Sequence, residues 1–318
     1  MAASILKSIY KSSCWAKVLF SLAIALLVLF ITNTLSERHK LQEGFTEGFI
    51  KGFSNDKPFV LKQNAEAFDS FYAGIYDDLL YNEIKNSYEI GKIINKTSPS
   101  SASIILDVGA GTGHHAGQLK KEGLEVQGVD ISPAMVAKAS QNYPDVPFQT
   151  GNVLETMLYP ASSFTHITCM YFTIYQIEDK MQFLRNCYNW LMPGGHLVIH
   201  LVDREKFDPI VPAASVLMGV SPQKYAKERI TASNAVFNNF TYKAEFEEIF
   251  PNDLVIFREV FKDKNSNRVR QNEHKLYMPK HDTIMSMIKD VGFIIVGKID
   301  MKDIKYDHQY LYILQKPE

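Results

Sequence analysis

The residues best suited to hold a small ligand are three glycines at alternate positions, an acid ahead of them and a second acid downstream. The first group reads Asp107-Val108-Gly109-Ala110-Gly111-Thr112-Gly113, and Asp130 follows 17 residues after Gly113. Glycines at this spacing let a backbone turn approach a ligand where a side chain would block it. A carboxylate at the end of the next strand is placed to accept hydrogen bonds from ribose hydroxyls. The dinucleotide pattern G-x-G-x-x-G would need glycine at 114, where this chain has His114. For acid–base chemistry the best-placed pair is His200 and Asp203, with His200 expected as base and Asp203 as its orienter or a substrate contact; His274 is an outside candidate. The three cysteines, Cys14, Cys169 and Cys187, show no cysteine–histidine spacing for zinc, and no metal is expected.

These residues need rigid supports. Ile104 to Val108 is apolar without alternation, as in a strand buried on both faces, and the glycines lead into a helix from about His115. Val126 to Asp130 is a second short strand, and Ser132-Pro133 starts the helix after it, serine as cap and proline in the first turn. Further strands are expected at Phe148–Thr150, Phe164–Met170 and His196–Val202, the last after the turn Met192-Pro193-Gly194-Gly195 and a helix over Lys180–Leu191. Successive strand residues face opposite sides, so Asp203 must lie in a turn if His200 lies in the strand. Ahead of the glycines, Gln63 to Asn95 shows helical spacing of apolar residues. Beyond 203 the composition shifts, with Pro209, Pro212 and Pro222 breaking short helical pieces. Three β-rich runs follow, Phe237–Ile249, Leu254–Lys262 and Arg268–Tyr277, read as an antiparallel meander. A helix from about His281 to Val291 and strands at Phe293–Lys298 and His308–Leu314 close the chain.

The D-x-G-x-G-x-G run, Asp130 and the Leu-x-Pro-Gly-Gly turn together resemble the class I S-adenosylmethionine (SAM) methyltransferases, of the small-molecule type-11/25 kind. The resemblance covers roughly residues 64–316. It implies an α/β Rossmann-like sandwich on a seven-stranded sheet, closed by an antiparallel terminal hairpin and carrying the meander as an insertion over 203–277. It implies SAM as cofactor, held by Asp107, Gly109, Ala110, Gly111, Thr112 and Gly113 at the methionine part and by Asp130 at the ribose. Ile131 and Met135 would contact the adenine or its surroundings, the Asn152 carbonyl would accept from the adenine amino group, and Val153 and Met170 would also bind the cofactor. Tyr72 and Tyr76, in Phe71-Tyr72-Ala73-Gly74-Ile75-Tyr76-Asp77, resemble the aromatic lid helix of such enzymes. The anchor, the Gly-Phe stretch and the Tyr171–Asp203 segment also resemble membrane-tethered methyltransferase-like proteins of giant DNA viruses.

The chain has 318 residues, 46% hydrophobic and 22% charged, with a net charge of −1, so no global basic field is available to bind nucleic acid. Residues 18–35 lack charge and, as a helix of about 27 Å, would just span a bilayer core behind the basic segment 1–17. Residues 36–62, with Gly-Phe repeating every four positions, read as a tether, and 63–318 as the methyltransferase domain. The expectation is a single-pass membrane protein with its catalytic domain in the cytosol, where SAM is available. It would methylate an unidentified small molecule or lipid; the alternatives are a non-catalytic SAM-fold membrane adaptor and a protein or RNA methyltransferase.

Overall fold

A computed structural model describes residues 58–214, 222–249 and 253–318, together with Trp15, Val18, residues 22–26 and Val28. Residues 1–47 and 48–318 form separate units. In the first, the described positions are helical, and Leu22, Ile24 and Leu26 are exposed. Among the described residues no helix is long and apolar enough to cross a membrane. Most of the span expected over 18–35, and of the tether over 36–62, lies outside the described residues.

The second unit is built on two sheets. The larger has seven strands in the order β11-β12-β6-β5-β2-β3-β4. Next to its central strand lies β2 (Ile104–Val108), paired in parallel with β3 (Glu125–Asp130) on one side and the central β5 (Phe164–Cys169) on the other. Outward lie β4 (Phe148–Thr150), parallel to β3, and β6 (Leu191–Val202), parallel to β5. The terminal strands β11 (Ile294–Asp300) and β12 (Gln309–Gln315) form the expected antiparallel pair, with β12 antiparallel to β6. Alternate residues feed two cores. Ile105, Val198, Leu311 and Ile313 pack on one face of the sheet with Ile90, Ile93 and Leu119. Leu106, Leu197, Ile199, Tyr312 and Leu314 pack on the other with Phe183, Leu184, Trp190 and Ile288. Both faces are covered, which is why β2 carries no polar alternation.

The helices start where their caps predict. In α4 (Pro133–Asn142) the Ser132 hydroxyl accepts from the Met135 amide at 3.1 Å, with Pro133 in the first turn. Helix α3 (His114–Lys121) follows Gly113, and α6 (Lys180–Trp190) is capped by Asp179. Helix α7 (His281–Val291) ends at Gly292 with φ +107°. The Pro-Gly-Gly turn bends β6 at Gly194, φ +74°. The helical stretch expected over 63–95 is instead two helices, α1 (Ser70–Leu80) and α2 (Glu83–Thr97). Tyr81 is extended between them, and Asn82 caps the second by accepting from the Lys85 amide at 2.9 Å. The loop expected over 171–176 contains a single turn, α5 (Thr173–Gln176).

The smaller sheet has the order β1-β10-β9-β8-β7. The meander strands are present as β8 (Phe240–Ile249), β9 (Leu254–Asp263) and β10 (Val269–Tyr277), paired antiparallel. Two strands were not anticipated. Strand β7 (Ala232–Val236) extends one edge, and β1 (Phe59–Gln63), read above as tether, pairs in parallel with β10 at the other. Arg270 fastens this sheet to the start of α1. Its guanidinium is buried, donates to both Asp69 carboxylate oxygens at 2.9 and 3.0 Å, and also bonds the Ala67 carbonyl and Asn272 Oδ1. A planar fork of donors suits that bidentate contact.

Candidate active site

The glycine corner stands at the C-terminal end of β2, the edge where open α/β sheets bind ligands. Its three glycines have φ of +64°, +55° and +87° at 109, 111 and 113. Two of them serve packing. A Cβ on Gly109 would lie 2.4 Å from Thr173 Cγ2, and one on Gly113 would lie 2.8 Å from the Phe148 ring. Gly111 differs: a Cβ there would meet nothing nearer than Tyr76 Cε1 at 4.0 Å, so the backbone is open on its cavity side.

Asp130 is tied to that corner. The Gly111 amide donates to one carboxylate oxygen and the Ser132 amide to the other, both at 2.9 Å. Burial raises the Asp130 pKa, while the amides of Ser132, Gly111 and Ile131 oppose the shift. A carboxylate offers about four acceptor directions, so with three amides on it capacity remains for about one ribose hydroxyl. The amides of Ala110, Gly111 and Gly113 are bonded to the Val129 carbonyl, the Asp130 carboxylate and the Ala110 carbonyl. Asn152 Oδ1 accepts from the Leu154 amide at 3.0 Å, which leaves its second lone pair and the side-chain amide nitrogen for a ligand.

Most expected cofactor residues meet around two cavities. Gly109, Gly111, Asp130, Ile131, Met135, Asn152, Val153 and Tyr76 line one, of about 1300 Å³ counted to its open mouth. Asp107, Gly109, Ala110, Gly111, Thr112, Met170 and Tyr76 line a second on the other side of the loop. Gly113 lines neither and packs beneath Phe148 and Ala139. The buried Asp107 carboxylate accepts from the Thr168 hydroxyl at 2.7 Å. Thr112 donates to Asp77 at 2.6 Å, pinning α1 to the loop. His114 stacks on Tyr81 at 3.7 Å and bonds the Tyr143 hydroxyl at 2.7 Å.

The second cavity holds a cluster that the spacing did not single out. Lys85 and His115 both reach Glu89, which is fully buried; His115 does so at 2.8 Å. Burial alone would raise the Glu89 pKa, but Lys85 and His115 bring it down to about 2. The i,i+4 spacing of Lys85 and Glu89 is that of an ordinary surface pair, and only the packing of α2 against the sheet buries it.

A third cavity, about 790 Å³ to its mouth, lies on the far side of Tyr76 and is largely aromatic, with Phe68, Tyr72, Phe172, Phe207, Phe246 and Phe257 in its walls. Tyr76 and Gln176 border all three cavities. His274 borders the aromatic cavity and the Asp130 cavity. Its Nε2 lies 3.0 Å from Glu259, a fully buried carboxylate that also accepts from the Tyr242 hydroxyl at 2.8 Å.

The expected catalytic pair is not assembled. His200 is fully buried, its Nδ1 2.7 Å from the Tyr171 carbonyl and its Nε2 3.1 Å from Gln309 Oε1. Burial lowers its pKa to about 4, so it stays neutral and ties β6 to β12 and the 171 loop. Asp203 lies in the turn, as expected, but accepts from the Glu205 amide and pairs with Lys206 at 3.4 Å. Neither residue lines any of the three cavities.

Residues 105–195 match a methyltransferase domain family. The chain is 34% identical over 213 residues to a demethylmenaquinone methyltransferase of Chlorobaculum parvum, a match covering 67% of this chain and 73% of that protein. The chain belongs to the class I SAM-dependent methyltransferases. A sugar N,N-dimethyltransferase of Saccharopolyspora spinosa is 29% identical over 143 residues, and there the match spans 43% of this chain and just over half, 57%, of the relative. Among solved structures, the CcbJ methyltransferase of Streptomyces caelestis shares the fold at TM-score 0.60 and 15% identity, over 79% of this chain and 98% of that one. SAM-bound CalS10, an amino pentose methyltransferase of Micromonospora echinaspora, does so at TM-score 0.54 and 16% identity, over 73% and 90%.

The cofactor of this family is SAM, and the residues present fit it. The open backbone over Gly111, the spare acceptor capacity of Asp130 and the apolar Ile131 and Met135 suit an adenosine. The charged cluster of Lys85, Glu89, His115 and Asp107 across the loop suits a zwitterionic amino-acid tail.

Proposed function

We propose that this chain is a membrane-anchored methyltransferase acting on an apolar, ring-bearing small molecule or lipid, with its catalytic domain on the cytosolic side. The observation that carries the reading is the aromatic cavity, joined to the cofactor corner through Tyr76 and Gln176. SAM brings an already activated methyl group, so positioning and exclusion of water can supply most of the rate. Tyr76 stands over Gly111 and packs edge-on against Tyr72 at 5.7 Å, so that both rings, one beside the cofactor and one in the acceptor wall, are set together. Phe172 bridges toward Phe207, and Phe207 toward Phe246, continuing the wall to the smaller sheet. Flat apolar rings pack against such walls. A quinone acceptor of the kind named for the Chlorobaculum relative has that character. The uncharged run over 18–35 supports anchoring, and the net charge of −1 gives no support to an RNA substrate.

The test is transfer of tritiated methyl from SAM to lipid, protein and RNA fractions by the full chain in membranes, with carbonate extraction of those membranes alongside. Label in the organic-soluble fraction and a carbonate-resistant protein are expected. Label confined to protein or RNA would overturn the acceptor reading, and release by carbonate would overturn the anchor.

A further inference from the structure

His274 stands where the two functional cavities meet, and its chemistry is not explained by packing alone. The imidazole is 4% exposed and borders both the aromatic cavity and the Asp130 cavity. Nε2–H donates to Glu259 at 3.0 Å, which leaves Nδ1 as the nitrogen with a free lone pair. Among the described residues no hydrogen bond reaches Nδ1. Phe68 and Tyr72 hold the ring at centroid distances of 5.0 and 5.7 Å.

Glu259 is wholly excluded from solvent, yet among the described residues no lysine or arginine pairs with it. Its contacts include the Tyr242 hydroxyl at 2.8 Å, Asn272 Nδ2 at 3.5 Å and His274, and the Tyr72 hydroxyl also bears on it. A buried carboxylate without a lysine or arginine beside it is costly unless its hydrogen bonds are satisfied. A carboxylate behind an imidazole, fixing its tautomer and its orientation, is the arrangement that prepares a general base. The titratable groups around the ring are Glu259 from β9, Tyr242 from β8 behind that carboxylate, and Tyr72 and Tyr76 from α1.

We infer that His274, held by Glu259, is the general base of the methyl transfer, and that the acceptor group is a hydroxyl of phenol or enol type. This rests on the reading of the aromatic cavity as the acceptor site. The acceptor oxygen forms a bond to the methyl carbon as the carbon–sulfur bond of the sulfonium breaks. The electron pair of that bond remains on sulfur, and the hydroxyl proton passes to Nδ1 of His274. The products are an O-methyl ether, S-adenosylhomocysteine and an imidazolium whose counterion is Glu259. An amine acceptor, cationic near neutrality, would call for an available carboxylate in the cavity wall. Glu259 is not part of that wall; Asp208 is, and it accepts from the Ile210 amide at 2.9 Å with capacity to spare, so the atom that carries the methyl group in the product separates a hydroxyl from an amine acceptor. A neutral phenol in an aromatic cavity is a weak nucleophile, and removing its proton is the assistance the reaction needs. Glu259 is a positioning residue and acts through His274.

The test does not require the natural acceptor. The full chain, saturated with S-adenosylhomocysteine, is titrated with 4-nitrophenol, whose ionisation near neutrality is visible by absorbance. Bound probe is expected to remain ionised at a pH where free probe is mostly neutral, with the midpoint lowered by about one unit. His274→Asn should abolish that shift and Glu259→Gln should reduce it, while S-adenosylhomocysteine affinity stays within about threefold by calorimetry. An unshifted midpoint in the wild type, an equal shift in His274→Asn, or no binding of the probe would each overturn the inference. The wild-type midpoint decides the matter even if a variant fails to fold. With the acceptor found by label transfer, His274→Asn should lower kcat by about a hundredfold and leave KM within a few-fold. A product methylated on nitrogen or carbon would also overturn the inference. Loss of S-adenosylhomocysteine binding by the wild type would instead count against the cofactor reading, so the two failures are separable.

Discussion

The cofactor corner and the acceptor cavity meet at Tyr76, but they are assembled in opposite ways. The glycine loop and its two acids come from one continuous stretch, from Ile104 to Met135, though Tyr76, Asn152 and Val153 join it in lining the cavity. The cavity draws Phe68 and Tyr72 from before that stretch, Phe172 from after it, Phe207 and Phe246 from the insertion, and His274 from β10. A local unit can be recognised from its spacing because the βαβ geometry fixes where each residue must point. A wall drawn from five segments has no spacing of its own. The difference also separates their failure modes. Damage to the corner should act on the fold and on SAM together, whereas damage to the cavity should spare SAM.

The largest expected effect lies in the corner. Gly109→Val places a branched side chain at φ +64° and against Thr173. Left-handed backbone costs such a residue about 1–2 kcal/mol and overpacking a further 1–3, so a loss of about 2–5 kcal/mol is expected in urea unfolding. A change under 1 kcal/mol would mean that the corner yields easily and that the contrast with the cavity is overstated. Next comes the clasp between the regions. Arg270→Met removes the bonds to Asp69, Ala67 and Asn272 and should cost about 2–3 kcal/mol, because polar groups in a buried setting lose their partner. SAM affinity should fall by no more than a few-fold; a loss equal to that of a corner variant would merge the two regions into one.

The smallest effect concerns the seam. His200 has its folded pKa lowered by burial to about 4, from an ordinary value near 6.5. The unfolded chain therefore binds a proton that the folded chain refuses between those values. Stability is complete above about pH 6.5 and falls as pH drops toward 4, by about 2 kcal/mol at pH 5 for this one group. His166, also lowered to about 4 by burial, adds a similar slope at the other end of the sheet. In His200→Asn, which can keep the donor to the Tyr171 carbonyl, the acid-side slope of Tm against pH should drop by roughly half. An unchanged slope would show that His200 is hydrated and free to act, which would restore it as a catalytic candidate.

The same contrast explains what could be read from the sequence. Strand β2, the glycine turn, the Ser132 cap, the Pro-Gly-Gly turn and the terminal hairpin are local patterns, and each is present where expected. Strand β1 escaped because its partner β10 lies some 200 residues away and its five residues follow a glycine-rich stretch. Lys85 and Glu89 carried only the signature of a solvated helix pair. His200 was favoured over His274 because it ends a strand on the ligand side of the sheet. Its partners Tyr171 and Gln309, which seal it, come from elements that only the folded sheet brings together. Glu259 and His274 lie 15 residues apart on adjacent antiparallel strands, and the register of β9 against β10 decides that they touch. Sequence placed both strands but not their register.

The most direct test of a cofactor corner separate from its acceptor cavity is calorimetric binding of SAM to the wild type, Asp130→Ala and Phe246→Ala. Asp130→Ala should weaken binding by about 10–100-fold, the worth of one or two hydrogen bonds to a charged acceptor. Phe246→Ala, in the cavity wall, should leave the affinity within about threefold. Unchanged binding in Asp130→Ala, or an equal loss in Phe246→Ala, would contradict the account.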